Sequence, residues 1–218
     1  ASGGILLGCK TSSDKKDFIP QVEGAFTPNL FIHLEKNGKV TLIASRSEMG
    51  QGIRTSLASA IADEMEADWK YISVKQGTGD AKYGNQNTDG SRSVRTILEP
   101  MRKMGAAAKM MLITAAAKKW KVTEAKCKAE NHFVINKQNQ QKLSYGELAT
   151  LAANSPMPEN PALKSKEQYR YIGKALDRHD QGQVVVGKRI YGVDTKLPGL
   201  KYAAIVHCPV LGGSLKSV

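Results

Sequence analysis

The sequence predicts an α+β fold in which a mixed sheet packs against helices, and three observations predict it. Asn29 to Ala44 alternates apolar and polar residues on both sides of Asn37-Gly38. Two later stretches, Arg54–Ala67 and Met101–Lys119, carry apolar residues at helical spacing. Three of the eight prolines crowd Ser155 to Pro161, and beyond Ile172 the pattern returns to short strands. With 218 residues, 41% hydrophobic and 24% charged, the chain has the balance of a globular protein rather than a disordered tail or a fibre. A chain of this length buries roughly 70% of its unfolded surface and needs no disulfide staples.

The elements follow in order. Leu30–Glu35 and Lys39–Ala44 form a hairpin, turning through an Asn-Gly that tolerates positive φ. The turn Ser47-Glu48-Met49-Gly50-Gln51-Gly52 then runs into a helix faced by Leu57, Ala58, Ile61, Ala62 and Met65. Tyr71–Gln76 is a short strand, and Gly77 to Ser93 is a loop rich in Gly, Asn, Asp and Ser. A long helix follows, with Met101, Met104, Ala108, Met111 and Ala115 on its core face and Pro100 in its first turn, where a missing N–H costs nothing. That methionine stripe reads as core packing rather than a ligand box.

His132–Asn136 pairs with Gln141–Leu143, and Ser144 with Glu147 makes a capping box that opens a helix to Ala153. Strands are expected at Gln183–Val186 and Lys201–His207. The resulting divisions are 1–26 (leader and tether), 27–165 (first domain), 166–181 (connector) and 182–218 (start of a β-rich second domain).

The N-terminal Ile5-Leu6-Leu7-Gly8-Cys9 resembles the end of a signal peptide carrying a bacterial lipobox, with Lys10 to Lys16 as polar tether. Export to the periplasmic side with lipidation at Cys9 is therefore expected; a chance apolar tetrad beside a buried cysteine is the other reading. No apolar run approaches the ~20 residues of a transmembrane helix. The net charge is +12, but Lys and Arg are spread along the chain and only 6% of residues are aromatic, so bases would find few stacking platforms. A solvated basic surface is expected, and no nucleic-acid partner.

Two glycine-rich loops carry the candidate chemistry. Glu48 to Gly52 joins a strand to a helix, and the unpaired amides at a helix N-terminus suit an anion that glycines let approach. Gln51 adds donor and acceptor capacity suited to a heterocycle edge. No Gly-Lys-Ser/Thr follows, so nucleotide hydrolysis has no support. The second loop, Thr88 to Ser93, offers amides, hydroxyls and a guanidinium through Gly90, Ser91, Arg92 and Ser93. Two ordinary helix caps explain both loops equally well. Glu48 is either a proton-transfer group or, the reading its position favours, a carboxylate hydrogen-bonded to loop amides. His33, His132, His179 and His207 lie too far apart for ligand spacing, and Cys208 reads as a buried apolar residue.

Taken in order, several strings resemble one family. SEMGQG before a helix and TDGSRSV after it are similar to the molybdopterin-binding region of the xanthine oxidase and aldehyde oxidase family. The Glu99–Val122 run, LSYGELA at Leu143–Ala149, YIGK with RHD across Tyr171–Asp180, and the Gly192–Gly213 segment resemble its isoquinoline 1-oxidoreductase large-subunit branch. The likeness runs from about Thr27 to Val218.

This resemblance implies a molybdopterin-binding domain followed by the start of an α/β hammerhead domain at 182–218. The implied activity is oxidation of a small-molecule aldehyde or N-heterocycle, with oxygen from water. It implies that Gly50, Gln51 and Gly52, with Gly90, Ser91, Arg92 and Ser93, hold a molybdenum-bearing molybdopterin in its cytosine dinucleotide form. Electrons would pass to iron–sulfur clusters on a small [2Fe-2S] partner subunit and on to a cytochrome c. Three scattered cysteines cannot ligate two clusters, which take about eight. The family's general-base glutamate would lie beyond Val218, in a missing C-terminal part, leaving no catalytic residue in these 218 residues and an inactive fragment. The alternative is a non-enzymatic binding or assembly module that kept the fold without the cofactor.

Overall fold

The computed structural model describes residues 25–214 and 216. The expected lipobox and tether around Cys9 lie outside them. The chain falls into two compact units, divided between His179 and Asp180.

In the first unit, β1 (Phe26–Asn29), β2 (Ile32–Leu34), β3 (Val40–Ala44) and β4 (Ile72–Gln76) form one sheet in that order. The first two pairings are antiparallel and β3 pairs parallel with β4, so the sheet is mixed as expected. All five residues of β3 are buried, as suits a central strand covered on both faces. The crossover from β3 to β4 carries α1 (Ile53–Glu64). The hairpin turn is the expected one: Gly38 sits at φ +88°, and Asn37 Oδ1 accepts the Lys39 N–H at 2.8 Å.

The long helix, α2, spans Arg92–Trp120, and this corrects the sequence expectation. It starts nine residues before Met101, so Pro100 lies inside it rather than in its first turn. Ser93 and Ile97 are buried and extend the Met101–Met104–Ala108 stripe two turns backwards, so packing of that face outweighs the lost N–H. Gly105 marks where α2 crosses α1: a Cβ there would lie 2.4 Å from the Ile61 carbonyl oxygen. Only a residue without a side chain permits that approach.

A second sheet, β5 (Cys127–Glu130), β6 (Phe133–Asn136) and β7 (Lys142–Ser144), is antiparallel throughout. Sequence pattern missed β5, whose Lys128 and Glu130 give an edge strand with little apolar alternation. It also missed β1. The helix α3 (Tyr145–Ala152) starts at the expected capping box, with Ser144 N donating to Glu147 Oε2 at 2.8 Å and Glu147 N to Ser144 Oγ at 3.3 Å.

At the C-terminal end of α1, Asp63 and Glu64 are fully buried carboxylates. Asp63 accepts the amides of Arg170, Tyr171 and Ile172 at 2.9 to 3.1 Å and the Lys164 ammonium at 2.9 Å. Glu64 takes the Arg102 guanidinium at 2.7 Å and the Lys164 amide at 3.0 Å. The stretch read as a connector thus folds back on α1 as far as His179, forming a strap.

The second unit, from Asp180, holds α4 (Gln181–Val185) and a short 3-10 turn at Gly192–Asp194. Both strands expected here are corrected. Gln183–Val185 is helical, and Lys201–His207 has no regular structure. Cys208 is exposed rather than buried. The physical reason is one and the same: an alternating segment becomes a strand only beside a hydrogen-bonding neighbour. Among the described residues of this unit there is none, and Val206 is left 93% exposed. No helix among the described residues is long and apolar enough to cross a membrane.

Candidate functional site

The site grows from the end of β3. Ser45 and Arg46 are buried, and the chain then turns through Ser47 to Gly52 into α1. Gly52 caps the helix in the left-handed region at φ +86° and Gly50 sits at φ +104°, conformations that favour glycine. No helix cap comes from Gly52, which has no side chain. Glu48 takes that role: its Oε1 accepts the Gly50 and Gly52 amides, each at 2.9 Å, and its Oε2 accepts the Arg54 amide at 3.1 Å. Of the two readings of Glu48, the structure shows the carboxylate bound to loop amides.

Gln51 also closes its own loop. Its Oε1 accepts the Met49 amide at 2.7 Å and its Nε2 donates to the Ser47 carbonyl at 3.3 Å. The amides expected to seat an external anion are therefore occupied by the protein's own carboxylate. Burial alone pushes the Glu48 carboxyl up, but the Gly52, Arg54 and Gly50 amides, with the Arg178 charge, outweigh it and hold it below the usual range. Arg178 reaches the loop from the strap, donating Nη1 to the Gly50 carbonyl at 3.1 Å and placing Nη2 3.8 Å from Glu48 Oε1.

The second loop lies beside the first. Thr88 Oγ1 donates to the Ser47 carbonyl at 3.0 Å. Arg46 bridges the two loops more extensively: Nη1 donates to Asn85 Oδ1 at 3.2 Å and to the Asn87 carbonyl, and Nη2 donates to Thr96 Oγ1 at 3.3 Å. Gly90 and Ser91 both have positive φ, and Arg92 is committed to Asp89, with Nε 2.8 Å from Oδ1. Ser93 is buried, and its hydroxyl has no hydrogen-bond partner. The same holds for Ser45 Oγ and Arg46 Nε.

A cavity of about 450 Å³ opens against the first loop. Gly50, Gln51 and Gly52 line it, with Thr55, Ser56 and Ser59 of α1. Val94 and Leu98 of α2 and the strap from Tyr171 to Arg178 close the remaining walls. A Cβ at Gly50 or Gly52 would meet no atom within 4 Å, so the loop backbone faces open space. Gly90 to Ser93 do not line this cavity; the next turn of α2 does.

Sequence reasoning missed Arg46, Arg178 and the strap. The signal for Arg46 was an arginine ending a buried strand directly before the glycine loop. The histidines are structural or remote from the cavity. His33 is buried on Thr27 Oγ1 at 2.8 Å. The His132 ring stacks on Tyr71 at 4.4 Å and donates Nε2–H to the Gly38 carbonyl at 2.8 Å. His179 meets Thr55 and His207 is exposed in the second unit.

Two linked glycine-rich loops beside a cavity are what the geometry presents, and comparison with known proteins says to which family they belong. The family model of the molybdopterin cofactor-binding domain matches residues 6–194, and the chain belongs to that family. It is 29% identical to the isoquinoline 1-oxidoreductase subunit beta of Brevundimonas diminuta, across 92% of this chain and 31% of that protein. It is 32% identical to the membrane-bound aldehyde dehydrogenase (pyrroloquinoline-quinone) of Gluconacetobacter polyoxogenes, across 97% of this chain and 28% of that protein. The chain thus spans under a third of the length of these relatives. Among solved structures, reconstituted CO dehydrogenase from Oligotropha carboxidovorans is 26% identical with a TM-score of 0.48, covering 61% of this chain and 17% of that one.

Proposed function

We propose that these residues are part of the large subunit of a molybdenum hydroxylase that oxidises aldehydes or N-heterocycles. The observation that carries the proposal is the cavity at the Gly50–Gly52 turn in a chain of the molybdopterin cofactor-binding family. The residues fit such a group. Buried polar atoms normally have partners; Ser45 Oγ, Arg46 Nε and Ser93 Oγ have none, but these residues do not line the cavity, so the fit rests on the lining itself. A hydroxyl-lined cavity with Arg178 on its wall suits a polar, anionic ligand.

When bound, the cofactor supplies two-electron oxidation of the substrate carbon, with water as oxygen source. The chain's task is to hold and orient it. Gly50 and Gly52 let it approach the backbone, Gln51 and Glu48 keep that backbone in one shape, and Arg46 locks the second loop, with Gly90 to Ser93, against the first. The Glu48 carboxylate occupies the amides at the start of α1, so the ligand's negative charge falls to the remaining donors.

The finer reading rests on the family resemblance. It comprises the cytosine dinucleotide form of the cofactor, a small [2Fe-2S] subunit, a cytochrome c acceptor, and a general-base glutamate in sequence beyond Val218. It extends to a hammerhead domain from residue 182, and to export with lipidation at Cys9. Mass spectrometry of the N-terminal peptide tests the last point: an unmodified peptide upstream of Cys9 in the mature protein would refute it.

The test of the function is molybdenum and pterin content of the complete protein, with Gln51→Ala beside it. The variant should lose cofactor while its unfolding midpoint falls by little, since the loop contributes no core. Stoichiometric molybdenum and normal activity in Gln51→Ala would refute the site. Complete absence of the metal from the native protein would favour the assembly module.

A further inference from the structure

We propose that Arg178 is the positioning residue of the Glu48–Gly52 loop, holding it through the Gly50 carbonyl and the Glu48 carboxylate; this rests on the loop's role in holding the cofactor. The loop is shaped by two of its own side chains, Gln51 and Glu48. Three amides converge on Glu48, whose side chain is only 6% exposed. Those contacts are local to the turn and the start of α1, with Thr88 joining the turn to the second loop. The contact that ties it to the rest of the fold on the strap side is Arg178, 128 residues further along the chain.

The approach of Arg178 is set at both ends of the strap. Asp63 pins the strap at Arg170, Tyr171 and Ile172. At its other end, the residue after Arg178 donates its backbone N–H to Thr55 Oγ1 at 3.2 Å, on the first turns of α1. The Arg178 backbone is thereby held beside the loop, within reach of Gly50. Its planar fork serves a carbonyl and a carboxylate at once, which the single ammonium of a lysine does not match. This gives a task to two residues of the Arg178-His179-Asp180 string, Arg178 on the loop and His179 on Thr55.

The experiment uses the complete protein with three variants, Arg178→Ala, Arg178→Lys and Glu48→Ala. Two quantities are read: hydrogen exchange at the Gly50, Gly52 and Arg54 amides, and molybdenum retained per protein after prolonged dialysis. Arg178→Ala should speed exchange at those three amides roughly fivefold, the scale of one lost, partly exposed hydrogen bond to a charged group. It should lower molybdenum retention by a similar factor. The Tyr171 and Ile172 amides, held by Asp63, should exchange as before, which separates loop release from general destabilisation. Arg178→Lys should fall between wild type and alanine on both readouts.

Unchanged exchange at the loop amides in Arg178→Ala would overturn the proposal. So would faster exchange with full molybdenum retention, provided Glu48→Ala loses the metal. If Glu48→Ala frees the amides and keeps its molybdenum, the cofactor reading of this loop fails instead, and the positioning role falls with it.

Discussion

The two ends of α1 use the same device in opposite surroundings. At the C-terminal end, Asp63 gathers three backbone amides and a lysine ammonium. At the N-terminal end, Glu48 gathers three backbone amides and an arginine. The Asp63 side chain is fully buried and its amides come from more than a hundred residues away. The Glu48 amides are its near neighbours, and its arginine is a third exposed. A carboxylate sealed from water has no substitute partner, so Asp63 is bound to the integrity of the fold. Glu48 is nearly as shielded, but it is held by the amides of its own turn, which forms one wall of the cavity, rather than by distant parts of the fold. One helix is thus tied to a distant segment at one end and to its own approach loop at the other.

The largest test of this contrast is Asp63→Ala. It leaves three amides without acceptors and the buried Lys164 ammonium dependent on Glu66 alone. A loss of about 3–5 kcal/mol is expected, read as a lower denaturation midpoint. A loss under about 1 kcal/mol would mean that the strap is not structurally required. Next in size is Gly105→Ala, which drives a methyl into the Ile61 carbonyl where the helices cross. It should cost about 1–3 kcal/mol and disturb both ends of α1 together. Glu48→Ala should cost about 1 kcal/mol, the scale of a lost helix cap, with amide exchange confined to the loop. An equal cost for Glu48→Ala and Asp63→Ala would erase the distinction.

The mildest expected effect is the pH dependence. For Asp63, burial pushes the carboxyl up, but the Ile172 amide, the Lys164 ammonium and the other strap amides outweigh it and hold it low. Glu48 is also held low. Groups lowered on folding stabilise above their unfolded values, near 4, and that contribution is lost as pH falls through the folded ones. His132 and His33 are lowered chiefly by burial, so the unfolded chain takes up protons first. Their contribution is complete above the free-histidine value near 6.5 and declines as pH drops below it. Chemical unfolding between pH 7.5 and 5 should show this slope, and His132→Gln should flatten it. A slope that is unchanged in the variant would remove His132 as its source.

Local signals carried much of the first unit. The Asn37-Gly38 turn, the Ser144 capping box and the apolar spacing of Leu57, Ile61 and Met65 each act within a few residues, where sequence and geometry are directly linked. The first glycine loop was legible for the same reason as a strand-to-helix junction, while its reading as a ligand seat came only from the family resemblance. Who would occupy its amides was not legible. Glu48, Gly50, Gly52 and Arg54 are close in sequence, yet only the observed turn brings all three N–H groups onto one carboxylate. Arg46 and Arg178 were beyond reach because their partners lie tens to more than a hundred residues away.

By itself the sequence determined the hairpin, the core faces of α1 and α2, the capped start of α3 and the family to which its loops belong, because these depend on short-range stereochemistry and ordered motifs. Tertiary structure alone decided where α2 begins, since the buried positions of Ser93 and Ile97 exist only against a packed neighbour. It also decided that the 164–179 stretch is a strap rather than a connector, since the two carboxylates that hold it become acceptors only when α1 is in place. The fate of Lys201–His207 follows the same rule. Its alternation is written in the sequence, but a strand is a relation between two segments, and its hydrogen bonds must be supplied by another part of a sheet.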